Sequence, residues 1–283
     1  MTMKFYLMTD LEGVAGVYQW ESRDDTSLEN HERRVRQRRW LAEEVNAAVD
    51  GLCAGGATDI LVNDGHGAGY TIDLEVADPR ARYIHGRERP FWLNHLDASC
   101  HATGMIGGHA KAGTPGACLY HTMSTAIRDW SFNGLSVGEI GLQALIAGHF
   151  GVPFILCTGD LYACREMEAL VPGCVTVPVK AGMSRLSACT VAPARARDMV
   201  RRGAERAFDS IGKVAPLKLE TPVVFREVRE KPTFDQENPP AFSRVLDERT
   251  REIEGDDIID VMHKIYPRYQ RDRPEPDWDW QAL

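Results

Sequence analysis

The chain has 283 residues and a formal net charge of −8, with 43% hydrophobic and 26% charged residues. A chain of this length buries a core without metal or disulfide support, so a bound metal would serve chemistry rather than folding. The acidic balance argues against nucleic acid as the main partner, because phosphate binding needs a basic surface. The run Arg33, Arg34, Arg36, Arg38 and Arg39 is interleaved with Glu29, Glu32, Glu43 and Glu44 and reads as a solvated, ion-paired helix face. Seven cysteines (Cys53, Cys100, Cys118, Cys157, Cys164, Cys174 and Cys189), with no C-x-x-C pair, fit a reducing compartment. The apolar run before Asp10 is too short for a signal-peptide core, and no stretch approaches a membrane span. These features predict a cytoplasmic protein that binds neither nucleic acid nor membrane.

In chain order, Lys4 to Thr9 reads as a strand closed by Asp10-Leu11-Glu12-Gly13. Glu29 to Gly51 reads as a helix with Trp40, Leu41, Val45, Ala48 and Val49 on one face, and Gly55-Gly56 ends the segment. Asp59 to Val62 is a strand, followed by Asn63-Asp64-Gly65-His66-Gly67. Tyr83 to Gly86 reads as a short strand and Phe91 to Leu96 as a helical turn. Ala102 to Ile106 is a strand closed by Gly107-Gly108-His109-Ala110, and Leu119 to Met123 and Ser131 to Leu135 read as extended. Val137 to Phe150 is a helix with Glu139 near its start, Pro153 to Thr158 a strand, and Leu161 to Leu170 a helix. Beyond these, Pro193 to Ile211 reads as a helix, Pro222 to Val228 as a strand, and Asn238 to Leu246 as a short helix. Thr250 to Glu254 reads as a strand and Asp256 to Tyr266 as a helix.

Alternating strands and helices predict an α/β fold: a mostly parallel sheet flanked by helices, with a smaller C-terminal α+β subdomain. The expected division is a catalytic domain over residues 1–190, a subdomain over 191–270 and a tail over 271–283 carrying Trp278 and Trp280. The tail is expected to dock on a neighbouring subunit, the alternative being a tail folded back on its own subunit or simply disordered.

In open α/β sheets, ligands bind outside the carboxyl ends of the strands. Three strands end in metal-competent side chains: Asp10 and Glu12, then Asp64 and His66, then His109, each flanked by glycine. Two carboxylates with two imidazoles suit Zn²⁺, Mn²⁺ or Co²⁺. Glu139 would add a third negative charge, against the four positive charges of two divalent ions. Other roles stay open from spacing alone: a turn cap for an aspartate after a strand, a dipole interaction for Glu139, and a polar surface or core position for a histidine. Lys180 and Arg185 read as surface groups or as anchors for a substrate carboxylate.

Together these segments resemble the D-aminopeptidase family, the M55 metallopeptidases. The resemblance rests on Asp10-Leu11-Glu12-Gly13, Val62-Asn63-Asp64-Gly65-His66, Gly107-Gly108-His109-Ala110 with Thr114-Pro115-Gly116, and His121-Thr122-Met123. It continues through Val137-Gly138-Glu139-Ile140-Gly141-Leu142 and Gly159-Asp160, over roughly residues 3–215 and more faintly to 266. The resemblance implies that Asp10, Glu12, His66, His109 and Glu139 hold two zinc ions, with Asp10 bridging them. It also implies that His121 is the catalytic residue, and that the chain assembles into a homo-oligomeric ring, with a decamer as the family pattern. The implied reaction is hydrolysis of small peptides with a free N-terminus, including D-amino-acid peptides, by metal-activated water. The loop from Val17 to Asn30 and the tail after Tyr266 depart from the family pattern. Two alternatives remain at this stage: action on another small amide or lactam, and a non-catalytic metal- or ligand-binding protein.

Overall fold

A computed structural model describes residues 2–67 and 69–269; the tail over 271–283, with Trp278 and Trp280, lies outside the described residues. One sheet is built on β1 (Lys4–Thr9), β2 (Asp59–Asp64), β3 (Ala81–Ile84), β4 (Ala102–Gly108), β7 (Phe154–Asp160), β8 (Val175–Ser184) and β9 (Ser187–Thr190). Their order is β3-β2-β1-β4-β7-β8-β9, parallel throughout except for β9, which returns antiparallel to β8. Every residue of β4 and β7 is buried, the pattern of parallel strands covered on both faces. The strand order reverses between β1 and β4, so the crevice of this sheet opens beyond their carboxyl ends.

The long helix α1 (Leu28–Gly55) starts at Ser27, whose side chain accepts from the Asn30 N–H, and stops at Gly56 in the left-handed region. It runs past the expected end at Gly51. That glycine marks where α4 (Pro193–Phe208) crosses: a Cβ on Gly51 would strike the Arg201 carbonyl. Helices α2 (Glu139–His149) and α3 (Leu161–Leu170) pack together and against β7. The arginine run lies on α1 as ion pairs, Arg34 and Arg38 on Glu21 and Arg39 on Glu43.

A second sheet, wholly antiparallel, has the order β11-β12-β10-β5-β6. It unites β5 (Ile127–Phe132) and β6 (Leu135–Ser136) with β10 (Val223–Arg229), β11 (Arg244–Asp247) and β12 (Thr250–Gly255), and α5 (Ile258–Ile265) packs on it. Two strands from inside the expected 1–190 segment thus join the second sheet. Conversely α4, from the expected 191–270 segment, packs on α1.

Three local expectations change. Asn238 to Leu246 forms no helix, because Pro239 and Pro240 cannot donate; its end becomes β11 instead. Phe91 to Leu96 is a series of turns, with His95 at a φ of 65°. Leu119 to Met123 is no strand: Leu119 and Met123 have φ of 52° and 58°, which bends the chain and turns His121 inward. Among the described residues no helix is long and apolar enough to cross a membrane.

Candidate metal centre

The strand ends meet almost without side chains between them. The Asp10 N–H donates to the Ile106 carbonyl at 2.8 Å, and the Gly13 N–H to the Gly107 carbonyl at 2.8 Å. A Cβ on Gly13 or on Gly159 would run into the Gly108 backbone, so only glycine permits this approach. The result brings Asp10 and Glu12 beyond β1, His66 beyond β2, and His109 directly after β4 into one buried cluster. Glu139 enters from the first position of α2 and His121 from the bent loop.

Asp10 faces two ways. Its Oδ1 lies 2.9 Å from His66 Nδ1, and its Oδ2 lies 3.1 Å from His109 Nε2. On the first side, His66 Nδ1 is also 2.8 Å from Glu12 Oε2. On the second, His109 Nε2 is 3.3 Å and His121 Nε2 3.6 Å from Glu139 Oε1. Two donor groups result, Asp10–Glu12–His66 and His109–His121–Glu139, each with its ligating atoms within 4.8 Å of one another.

The electrostatics favour positive charge at the centre of the cluster. Burial pushes the Asp10 carboxyl up, but His109 and His66 outweigh it and hold it well below the usual carboxylate range. Burial likewise opposes charge on the two imidazoles, yet Glu12 and Asp10 raise His66, and Asp10 and Glu139 raise His109, well above the ordinary range. Glu139 is lowered against its burial, chiefly by His109. Three buried carboxylates facing one another are costly without compensating positive charge. Glu12 Oε2 and His109 Nε2 are buried without a hydrogen-bond partner even though opposite groups lie close by. These atoms therefore converge on shared points rather than on each other. That is how ligands to divalent ions are arranged, and the donor set fits Zn²⁺.

The imidazole tautomers follow from their other contacts. His109 Nδ1 lies 3.0 Å from the Ala110 carbonyl, and His121 Nδ1 3.0 Å from the Leu119 carbonyl. A carbonyl can only accept, so each ring carries N–H at Nδ1 and directs Nε2 to the cluster, the atom that would offer its lone pair to a bound metal. The two rings stack at 4.0 Å between centroids.

Several residues here were not legible in the sequence. Glu21, in the loop that departs from the family pattern, lies 3.8 Å from His66 Nε2 and pairs with Arg23 and Arg34, both at 3.0 Å; a lone acid in a polar loop carries no local signal. Trp20 meets the His121 ring edge-on at 5.1 Å. Glu166 of α3 accepts from the N–H groups of Lys111 at 3.0 Å and Gly138 at 2.8 Å, clamping the backbone beside His109 and Glu139. Asp64 turns away from the cluster, to Thr71, Ile72 and His85. Lys180 is neither a surface group nor a free anchor: it is buried, and its ammonium donates to the carbonyls of Glu12 and Val17.

A parallel sheet with carboxylates and imidazoles gathered beyond its strand ends is the architecture of a metallohydrolase. A family model described as D-aminopeptidase, peptidase M55, matches residues 3–266. The D-aminopeptidase of Bacillus subtilis (strain 168) is 34% identical over 217 residues, covering 76% of this chain and 77% of the relative. The solved structure of the zinc-dependent D-aminopeptidase DppA from Bacillus subtilis, described as a self-compartmentalizing protease, superposes with a TM-score of 0.86. It is 27% identical, and the match covers 94% of this chain and 96% of that one. The chain belongs to the D-aminopeptidase (M55) family of peptidases, and its chemistry is peptide-bond hydrolysis.

Proposed function

We propose that this chain is a zinc-dependent aminopeptidase that removes the N-terminal residue of small peptides, D-residues included, using two ions that share Asp10. The observation that carries this reading is the division of Asp10, one oxygen toward each donor group. Asp10, Glu12 and His66 would hold one ion, and Asp10, His109 and Glu139 the other; Mn²⁺ or Co²⁺ would suit the same donors. Bound divalent ions supply Lewis acidity and a nucleophile at neutral pH.

The remaining chemistry falls to side chains. His121 Nε2, lone pair inward, takes the proton from the attacking water and returns it to the departing amine. The Leu119 carbonyl keeps the ring in that tautomer throughout. The Met123 N–H donates to Glu139 Oε1 at 2.8 Å, which holds this carboxylate in place beside His121. The likeness to a self-compartmentalizing protease supports a homo-oligomeric ring that admits small peptides, and the acidic, reduced-cysteine composition supports a cytoplasmic location.

Metal analysis of the purified protein, combined with a screen of paired D- and L-dipeptides and their N-acetylated forms, tests the proposal. It requires near two zinc equivalents per chain and turnover of free-amine peptides only. Equal hydrolysis of N-acetylated peptides would reject the aminopeptidase reading in favour of a general amidohydrolase.

A further inference from the structure

The hairpin between β8 and β9 carries Arg185 at its exposed tip. Its guanidinium lies over the ring of Tyr120 at 4.8 Å and over that of Trp20 at 5.7 Å. Trp20 is the residue whose ring meets His121. Arg23 and Arg34 both pair with Glu21, whereas among the described residues no carboxylate is paired with Arg185. Stacking on ring faces holds a guanidinium in place but uses none of its five N–H groups. Among the described residues Arg185 is therefore an oriented cation with its side-chain donors unused.

Its position relative to His121 is set by main chain. The Leu119 N–H donates to the Arg185 carbonyl at 2.8 Å, and the Leu119 carbonyl is the group that fixes His121 Nδ1. Below the tip, Gly182 packs directly on backbone, where a Cβ would strike Cys118 and Gly116. Lys180, further down the same strand, binds the carbonyls of Glu12 and Val17. One strand thus ties the metal-ligand loop, the His121 loop and Arg185 into a single frame.

A short peptide cleaved after its first residue ends in a carboxylate one or two residues beyond the scissile bond. Each residue spans about 3.3–3.6 Å, and the Trp20 ring touches both ends of such a route, 5.1 Å from the His121 ring and 5.7 Å from the guanidinium. A planar guanidinium binds a carboxylate bidentately. We propose that Arg185, seated on Trp20 and Tyr120, binds the C-terminal carboxylate of di- and tripeptide substrates, making the enzyme selective for short peptides with a free C-terminus. This rests on the aminopeptidase reading above.

The test compares kcat/KM for a D-dipeptide and for its C-terminal amide, in the wild type and in Arg185→Ala and Arg185→Lys. The wild type should favour the free acid by about tenfold to a hundredfold, the range for hydrogen bonds to a charged partner. In Arg185→Ala the acid-to-amide ratio should fall close to one, with Arg185→Lys between the two. A loss of packing alone would lower both substrates together and leave the ratio intact; that outcome, or an unchanged ratio, overturns the proposal. If the wild type turns over neither peptide, the aminopeptidase reading fails separately. Calorimetric binding of the dipeptide then decides: at least tenfold weaker binding to Arg185→Ala upholds the carboxylate site, and equal affinity overturns it.

Discussion

Replacing Gly13 with alanine adds one methyl group where two strand ends touch. The added Cβ would lie 2.1 Å from the Gly108 oxygen, whereas real Cβ contacts stay beyond 3.0 Å. The neighbours are all main chain, so no side chain can swing aside. The segment carrying Asp10 and Glu12 must move from the one carrying His109 by about 1 Å, in a region packed like a crystal. Overpacking of this kind costs about 1–3 kcal/mol, and stretching the Gly13–Gly107 hydrogen bond adds about 1 kcal/mol. At about 2–4 °C per kcal/mol for a chain of this size, Tm should fall by about 5–15 °C. The same displacement separates the two oxygens of Asp10 from one of their partners, and a 1 Å error in a catalytic geometry costs about 10²-fold in rate. Differential scanning fluorimetry, zinc content and dipeptide turnover read these three effects together. Gly113→Ala is the control: its φ of +77° is unfavourable for alanine, but a Cβ there meets nothing within 4 Å, so it should cost only about 1 kcal/mol and leave zinc content intact. A Gly13→Ala protein that melts with the wild type and keeps its zinc would refute the close-contact argument.

Asp10→Ala and His109→Ala should each lose bound zinc and nearly all turnover while circular dichroism stays native; full zinc occupancy in either would dissolve the shared-carboxylate assignment. His121→Ala should keep its zinc and lower kcat by about 10²–10⁴, the range for removing a general acid or base, and near-normal turnover would leave His121 a structural role only. Glu44 is buried on α1, where burial raises its carboxyl from 4.5 to about 7 and the Ala15 N–H donates to it at 2.9 Å. The unfolded chain ionises Glu44 first, so its contribution to stability is complete below about pH 4.5, declines by about 3 kcal/mol between there and pH 7, and is flat above. Glu44→Gln should remove that decline, seen as urea midpoints that diverge from wild type across this window, and parallel curves would contradict it.

What could be read from the sequence was local. Lys4 to Thr9 and Leu161 to Leu170 match the observed elements because a continuous apolar run marks the buried strand and Asp160 caps the helix. The candidate donors Asp10, Glu12, His66 and His109 stood out because each follows a strand end by one to three residues in a glycine-bearing turn. The β8–β9 hairpin carried no such signal: Pro178 interrupts a strand that pairs with β7 on one side and β9 on the other. Trp20, Glu21 and Glu166 were invisible for a different reason. Each reaches the site across space from a loop or helix whose own pattern is ordinary, and only the folded sheet brings them to His121, His66 and the backbone beside Glu139. The division into sheets was equally hidden, since β5 and β6 show nothing that distinguishes them from strands of the parallel layer.

That last feature bears on how the protein emerges from the ribosome. All the candidate metal donors lie at or before Glu139, in the first half of the chain. Between His121 and Glu139, however, the chain leaves for β5 and β6, and Phe132 finds its partner only at Phe225 of β10. A two-stranded hairpin is marginal on its own in water. At about 5–20 residues per second, β10 follows Glu139 by a delay on the order of ten seconds. For that interval the nascent polypeptide holds a full set of ligands while the β5–β6 hairpin that joins His121 to Glu139 lacks its β10 neighbour. A message truncated between Glu139 and β10 would yield a chain that contains every chelating residue without the completed second sheet, so the full frame of the site waits for β10 to emerge.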